Sequence, residues 1–546
     1  MKKFIKMSLV LGALTLSVNS CSTRQKVDLV VYNACIYTVD TSFSIHEAFA
    51  VDKGVFLAVG STQEIRDCYK GRKELNLQGA AVYPAFNDAH SHFTMFAHGL
   101  SHADLRGAQS EEEIIERLQK HYELYKPDFL EGDAWDQTLW ENKAFPTNEA
   151  LSKAFPDIPV YLYRVDFHAY WVNDKAIELA GVKPGDPSIK PGEALLHPDG
   201  TFTGIFLEDT GAAISATAPS PNNATLKKYM MEAQNICFAY GLGSITDGGL
   251  LLHEIELLDS LQKEGLLKIR TDVWLTPSEE NFARFQEPYL SDRLDITTIK
   301  LYIDGALGSR GALMYKPYSD DPGNYGIQVT SDEDFLDVCR LAQERGFRVS
   351  THAIGDKGIR KVLDFYAQFL TPGNDLRWRI EHAQVVAPED FKRFGELNIV
   401  PSIQPTHATS DMGWAEQRVG PERVKGAYAF KDLIQAAGWA PFGTDTPVEV
   451  FNPAYTFFAA VSRTNLQMKP EGGWYPEQIL SREETLKGMT IWAAMGSCRE
   501  KEKGSIEPGK WADFVVWTDD LMTIPIEEIP ETSCQMNFLG GEQVFP

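Results

Sequence analysis

Residues 81–92 read Ala81-Val-Tyr-Pro-Ala-Phe-Asn-Asp-Ala-His90-Ser-His92. An apolar run that turns polar at its end is the pattern of a buried parallel strand. The period of two in a strand turns His90 and His92 to the same side. Seven further runs of this kind follow: roughly Gly243–Asp247, Ile269–Leu275, Thr298–Asp304, Arg348–His352, Arg377–His382, Ile399–Gln404 and Pro441–Asp445. Amphipathic stretches such as Glu333–Arg345 and Gly358–Phe369 fall between them. Strands alternating with helices predict βαβ units, and eight of them predict an α/β chain folded as a (β/α)8 TIM barrel.

Working outward, the flanks of these runs are of another kind. Val27 to Val82 reads as all-β, with a hairpin turning at Asp52-Lys53-Gly54, and Ala512–Trp517 near the other end is a further strand. Residues 27–80 and 496–546 are therefore expected to build one small composite β-sandwich domain. The barrel takes 81–106 and 222–495. The gap after the first strand is too long for one helix, so 107–221 is read as an insertion rich in Trp and Tyr. An insertion on the catalytic face of a barrel serves as a lid or pocket wall, and packing as a separate subdomain is the plainer alternative.

Composition limits the function classes. With 546 residues, 43% hydrophobic and 23% charged, the chain has ordinary globular values, which exclude wholesale disorder and a polytopic membrane protein. A formal net charge of −24 argues against nucleic-acid binding, which requires clustered Lys and Arg. Lys2, Lys3 and Lys6 precede an apolar run from Met7 to Val18, and Val18-Asn19-Ser20-Cys21 follows. Residues 1–21 read as a secretory signal whose ending resembles a bacterial lipobox, with Cys21 as the lipidated residue. The expected location is the bacterial cell envelope, periplasmic or surface-facing, with membrane contact only through the lipid anchor. The other six cysteines are scattered and form no disulfide framework. A homodimer is the default expectation for assembly.

The chemistry sits at the strand ends. His90 and His92 close the first run, His352 the fifth, His382 the sixth and Asp445 the eighth, while Lys300 lies within the apolar fourth run. In a parallel barrel all C-terminal strand ends meet at one mouth, so these side chains can converge from distant parts of the chain. Imidazoles with a carboxylate suit zinc and its first-row neighbours.

Together these motifs resemble the amidohydrolase superfamily, specifically its amidohydrolase-3 branch of YtcJ-like and N-substituted formamide deformylase-like enzymes. The resemblance rests on Asp88-Ala-His-Ser-His92, Lys300-Leu-Tyr-Ile-Asp-Gly-Ala-Leu-Gly-Ser-Arg310, Thr351-His-Ala-Ile-Gly-Asp356, Arg379-Ile-Glu-His-Ala-Gln384, Ser402-Ile-Gln-Pro-Thr-His407 and Gly443-Thr-Asp-Thr-Pro447. It covers nearly everything after the signal segment. It implies a divalent metal centre of one or two ions, with zinc the expected metal. His90, His92 and Asp445 would hold the more buried ion, and His352 and His382 the second. Lys300 would bridge them as an N-carboxylated lysine, formed by capture of carbon dioxide on the neutral amine.

The implied reaction is hydrolysis of an amide-type C–N bond in a small-molecule substrate, with metal-activated hydroxide as nucleophile. Asp445 would move the proton, and His407 would donate a hydrogen bond. Asp304, Arg310, Asp356, Trp135 and His168 are the further pocket candidates. An esterase, lactonase or cyclic-amide hydrolase on the same centre is the alternative, and a non-catalytic surface binding protein is the alternative of another class.

Overall fold

The computed structural model describes residues 24–164, 169–190, 192–219, 222–308 and 310–546. Its centre is a run of seven parallel strands paired in chain order. These are β1 (Phe86–Asp88), β2 (Leu242–Leu250), β3 (Arg270–Leu275), β4 (Leu294–Tyr302), β5 (Arg348–Ala353), β6 (Arg379–His382) and β7 (Val400–Ser402). Both faces of β4 are buried from Leu294 to Leu301, as expected of a strand lined by side chains inside and helices outside. The helix Asp332–Arg345 shows how local signals fix the crossovers. The Ser331 side chain accepts from the Asp334 N–H, three acids occupy the first turn, and Gly346 (φ 78°) ends it.

The eighth expected strand is not a regular one. Residues 441–445 nevertheless hydrogen-bond on both sides. Ile403 N–H donates to Pro441 C=O at 3.1 Å, and Gly443 N–H to Ile403 C=O at 3.0 Å. On the other flank Ala89 N–H donates to Phe442 C=O at 2.9 Å and Asp445 N–H to His90 C=O at 2.7 Å. The ring is thereby closed into a TIM-barrel-like fold. Regular pairing fails because Thr444 N–H is diverted to the Asp88 carboxylate at 3.0 Å and Pro441 has no N–H.

The first expected strand also splits. Ala81–Pro84 pairs with Cys35–Tyr37 and Phe514–Trp517 in a different sheet, and only Phe86–Asp88 enters the barrel. That other sheet has six strands, ordered Glu542–Phe545, Cys534–Leu539, Phe514–Trp517, Ala81–Pro84, Cys35–Tyr37 and Ile45–His46, so it joins the two ends of the chain. A four-stranded sheet of Gln25–Tyr32, Ala48–Asp52, Val55–Gly60 and Tyr69–Asn76 shares a core with it through Phe49, Phe56, Phe514 and Phe538. Its hairpin turns at Lys53 (φ 50°) and Gly54 (φ 81°), where the sequence signalled a turn.

A third sheet occupies most of the insertion. It starts at His102–Asp104, a few residues before the boundary expected from sequence, and ends at Phe202–Leu207. It has its own core in which Trp135, Trp140 and Trp171 pack together.

Arg270, the first residue of β3, ties the barrel floor to the terminal sheets. Its guanidinium pairs in bidentate fashion with Asp513 at 2.6 and 3.0 Å, and both side chains are buried. Removing one partner strands the other charge in a dry site. Asp513→Ala is expected to lower unfolding free energy by about 3–5 kcal/mol in a denaturant titration.

Candidate metal centre

The strand ends deliver the expected groups to one place. Asp445 Oδ1 lies 3.1 Å from His90 Nε2 and 3.1 Å from His92 Nε2, and its Oδ2 is 3.9 Å from His407 Nε2. The His382 ring centroid is 4.9 Å from that of His90, 4.6 Å from that of His352 and 5.9 Å from that of His407. His382 and Asp445 both take left-handed backbone conformations (φ 69° and 62°), a strained geometry for non-glycine residues that recurs where side chains are aimed at a site. Trp274 of β3 lies alongside: its ring is 5.5 Å from that of His90 and faces Lys300 Nζ at 5.4 Å.

Three of the imidazoles are oriented from behind. His90 Nδ1 meets Glu381 Oε2 at 2.5 Å, His92 Nδ1 meets the Gly248 carbonyl at 2.8 Å, and His382 Nδ1 meets Gln404 Oε1 at 2.9 Å. Donating Nδ1–H to an acceptor leaves Nε2 as the free lone pair, the arrangement of a metal-binding histidine. Glu381 is itself clamped by Arg379 (2.7 and 3.1 Å) and by Ser350 Oγ (2.7 Å). Burial alone would raise its pKa, but Arg379 and His90 hold it well below the usual carboxylate range. Asp445 is likewise held low against burial by His90, His92 and His382.

The bases of the centre do not shift alike: against burial and the Lys300 charge, Glu381 and Asp445 raise His90. Burial, and after it the Lys300 charge, lowers His352 to about 3, and burial with His352 lowers His382 well below its ordinary value. Burial lowers Lys300 to about 8. Lys300 is 1% exposed, and among the described residues no hydrogen bond or ion pair reaches its Nζ. The Nε2 atoms of His90, His352 and His407 are buried without a hydrogen-bond partner; the His90–Asp445 contact has ion-pair distance but not hydrogen-bond geometry. Two clusters gather ligand atoms within 4.8 Å of one another: His90, His92 and Asp445, and His382, His407 and Asp445. Buried imidazole nitrogens without hydrogen-bond partners, converging on a carboxylate, fit a divalent metal of the zinc type.

Not every sequence candidate reaches this centre. Trp135 is wholly buried in the insertion's own core, with its indole N–H donated to Leu162 C=O at 3.1 Å, so it is a packing residue rather than a pocket wall. Arg310 is engaged elsewhere, pairing in bidentate fashion with Asp320 at 3.0 Å. Asp304 is buried and accepts backbone N–H groups from Leu313, Ile354 and Gly355 at 2.8–3.0 Å. It pins two loops, and its nearest approach to a ligand candidate is 3.9 Å, to His352 Nε2. Asp356 accepts from Tyr315 N–H at 2.9 Å. His168 and Cys21 lie outside the described residues.

The orienting residues Glu381, Arg379 and Gln404 escaped the sequence reading as functional groups. Glu381 directly precedes His382, and strict alternation would part the two, yet both reach His90 because the left-handed backbone at His382 breaks the alternation, which nothing local announces.

The model of the family described as the amidohydrolase family matches residues 73–545. The protein YtcJ of Bacillus subtilis (strain 168) is 28% identical over 527 residues, covering 93% of this chain and 98% of that one. The N-substituted formamide deformylase of Arthrobacter pascens is 24% identical over 544 residues, covering 95% and 98%. Among solved structures, an uncharacterized metal-dependent hydrolase from Pyrococcus horikoshii OT3 superposes with a TM-score of 0.76 at 29% identity, covering 91% of this chain and 99% of that one.

Glu381→Gln keeps the shape but removes the charge that fixes the His90 tautomer. A chelator-competition titration is expected to show metal affinity reduced about 10- to 100-fold, with the far-ultraviolet circular dichroism unchanged.

Proposed function

The chain belongs to the amidohydrolase family, and from that premise we propose that it cleaves the C–N bond of an N-substituted amide. The observation that carries the proposal is Asp445, whose carboxylate stands 3.1 Å from two imidazoles and 3.9 Å from a third at the mouth of the barrel. The amide reading is supported by the relative named for N-substituted formamides. His90, His92 and Asp445 would hold one ion. His352 and His382, with Lys300 as an N-carboxylated bridge, would hold a second. Lys300 suits that role as a buried amine with no acceptor among the described residues, beside the candidate ligands. A bound divalent ion, zinc by the nitrogen-rich donor set, would polarise the substrate carbonyl and acidify water.

The residues divide the remaining work. Asp445 takes a proton as the water oxygen bonds to the carbonyl carbon. The carboxyl then passes that proton to the nitrogen as the C–N bond breaks, leaving acid and amine. His407 lies at the other oxygen of Asp445 and donates from Nε2 to the carbonyl oxygen. Glu381 and Arg379 keep His90 fixed throughout.

Elemental analysis of the purified protein is expected to give about two transition-metal ions per chain, falling in Lys300→Ala. Unchanged stoichiometry in that variant would remove the lysine from the centre. Asp445→Asn is expected to lower turnover of an N-alkylformamide by about 10²- to 10⁴-fold, and full turnover would remove the proton-transfer role.

We also propose that Cys21 carries the lipid. Metabolic labelling with palmitate is expected to mark the full chain and to fail for Cys21→Ser, with the variant moving to the soluble fraction. Labelling retained in Cys21→Ser would exclude the assignment.

A further inference from the structure

Tyr302 ends β4 two residues beyond Lys300, so strand alternation sets both side chains on the same inward face. Lys300 is 1% exposed and Tyr302 38% exposed, so this pair spans the step from the buried centre to the open mouth. The Tyr302 ring is held in place. Lys300 Nζ lies 5.0 Å from its centroid, and the His352 ring is 5.5 Å away and tilted by 40°. The backbone is held too, because the Tyr302 carbonyl accepts from Thr330 Oγ1 at 2.6 Å and Ile303 N–H donates to the His352 carbonyl at 3.0 Å.

The hydroxyl reaches the end of β2. A Cβ built on Gly249 (φ 83°) would stand 3.3 Å from it, and Gly249 follows Gly248, whose carbonyl orients His92. The phenol therefore bridges the space between Lys300 on β4 and the end of β2 that positions His92. The phenols of Tyr83, Tyr318, Tyr366 and Tyr428 each hydrogen-bond a protein group. The Tyr302 hydroxyl has no partner among the described residues.

We propose that Tyr302 is a catalytic residue whose hydroxyl donates a hydrogen bond to the substrate's carbonyl oxygen as that oxygen becomes anionic. A phenol is protonated near neutral pH and serves as a donor. The leaving nitrogen needs a proton rather than a hydrogen bond, and Asp445 supplies it, which leaves the oxygen as the group Tyr302 can serve. His407 would reach that oxygen from the segment after β7, and Tyr302 from the β2–β4 side. The inference rests on the hydrolase reading above.

The test is Tyr302→Phe in the full-length, metal-loaded protein. Removing one such donor is expected to lower kcat about 10²- to 10³-fold with KM within about threefold and bound metal unchanged. A rise in KM with kcat retained would make Tyr302 a wall of the pocket, and loss of metal would make it structural. Either result, or unchanged kinetics, overturns the proposal.

A second readout needs no turnover. Methylphosphonate carries a tetrahedral anionic centre, and calorimetry is expected to show it binding Tyr302→Phe at least tenfold more weakly than wild type. Equal affinities would overturn the contact. Should the wild-type protein hydrolyse neither amides nor esters, the hydrolase reading fails, while the phosphonate comparison still decides whether Tyr302 engages such an anion.

Discussion

The hydrogen bonds that residues 441–445 make on both flanks are the constraint on which the centre depends. They bring Asp445 beside His90 and set the carboxylate against His92 in the same step. The approach is close: a Cβ on Gly443 would stand 2.5 Å from the His90 backbone nitrogen, so only glycine lets the closing segment lie against the histidine. The left-handed backbone at Asp445 belongs to the same tight passage. An open ring would leave the histidines that follow β1 and the carboxylate that joins them on opposite edges of a sheet.

Buried aspartates at the strand ends hold the neighbouring loops. Asp88 at the end of β1 accepts from the Thr444 amide and hydroxyl, Asp247 in β2 from the Thr94 amide and hydroxyl, and Asp304 after β4 from three backbone amides. Burial pushes Asp88 up to about 6 and Asp247 and Asp304 up to about 7, so these carboxyls are held by donors rather than by counter-ions. Glu381 is the opposite case, paired with Arg379 and kept charged. The two kinds of buried acid divide the task. One fixes the backbone around the mouth, and the other fixes the electrostatics of a ligand.

The insertion carries most of the aromatic residues that made it look like a substrate wall. Its tryptophans meet one another at 5.7–6.3 Å and fill a core of their own. Large apolar rings that can bury one another do so, because each removes a large apolar area from water. Composition therefore could not tell a pocket from a core in this segment.

The sequence by itself determined the parallel ring of strands and the kinds of side chain at their ends. Strand periodicity is local, and a parallel barrel sends every strand end to one mouth, so His90, His92, His352, His382 and Asp445 were legible one motif at a time. Pairings across the chain were not. That Glu381 stands behind His90, 291 residues away, that Gln404 orients His382, and that Asp304 pins loops all depend on distances between remote segments. No local period encodes those distances, and the packed structure alone sets them. The same holds for the eighth position, which reads as a strand but has its Thr444 amide drawn off by Asp88, a competition between side chain and ladder that exists only once the ring has closed.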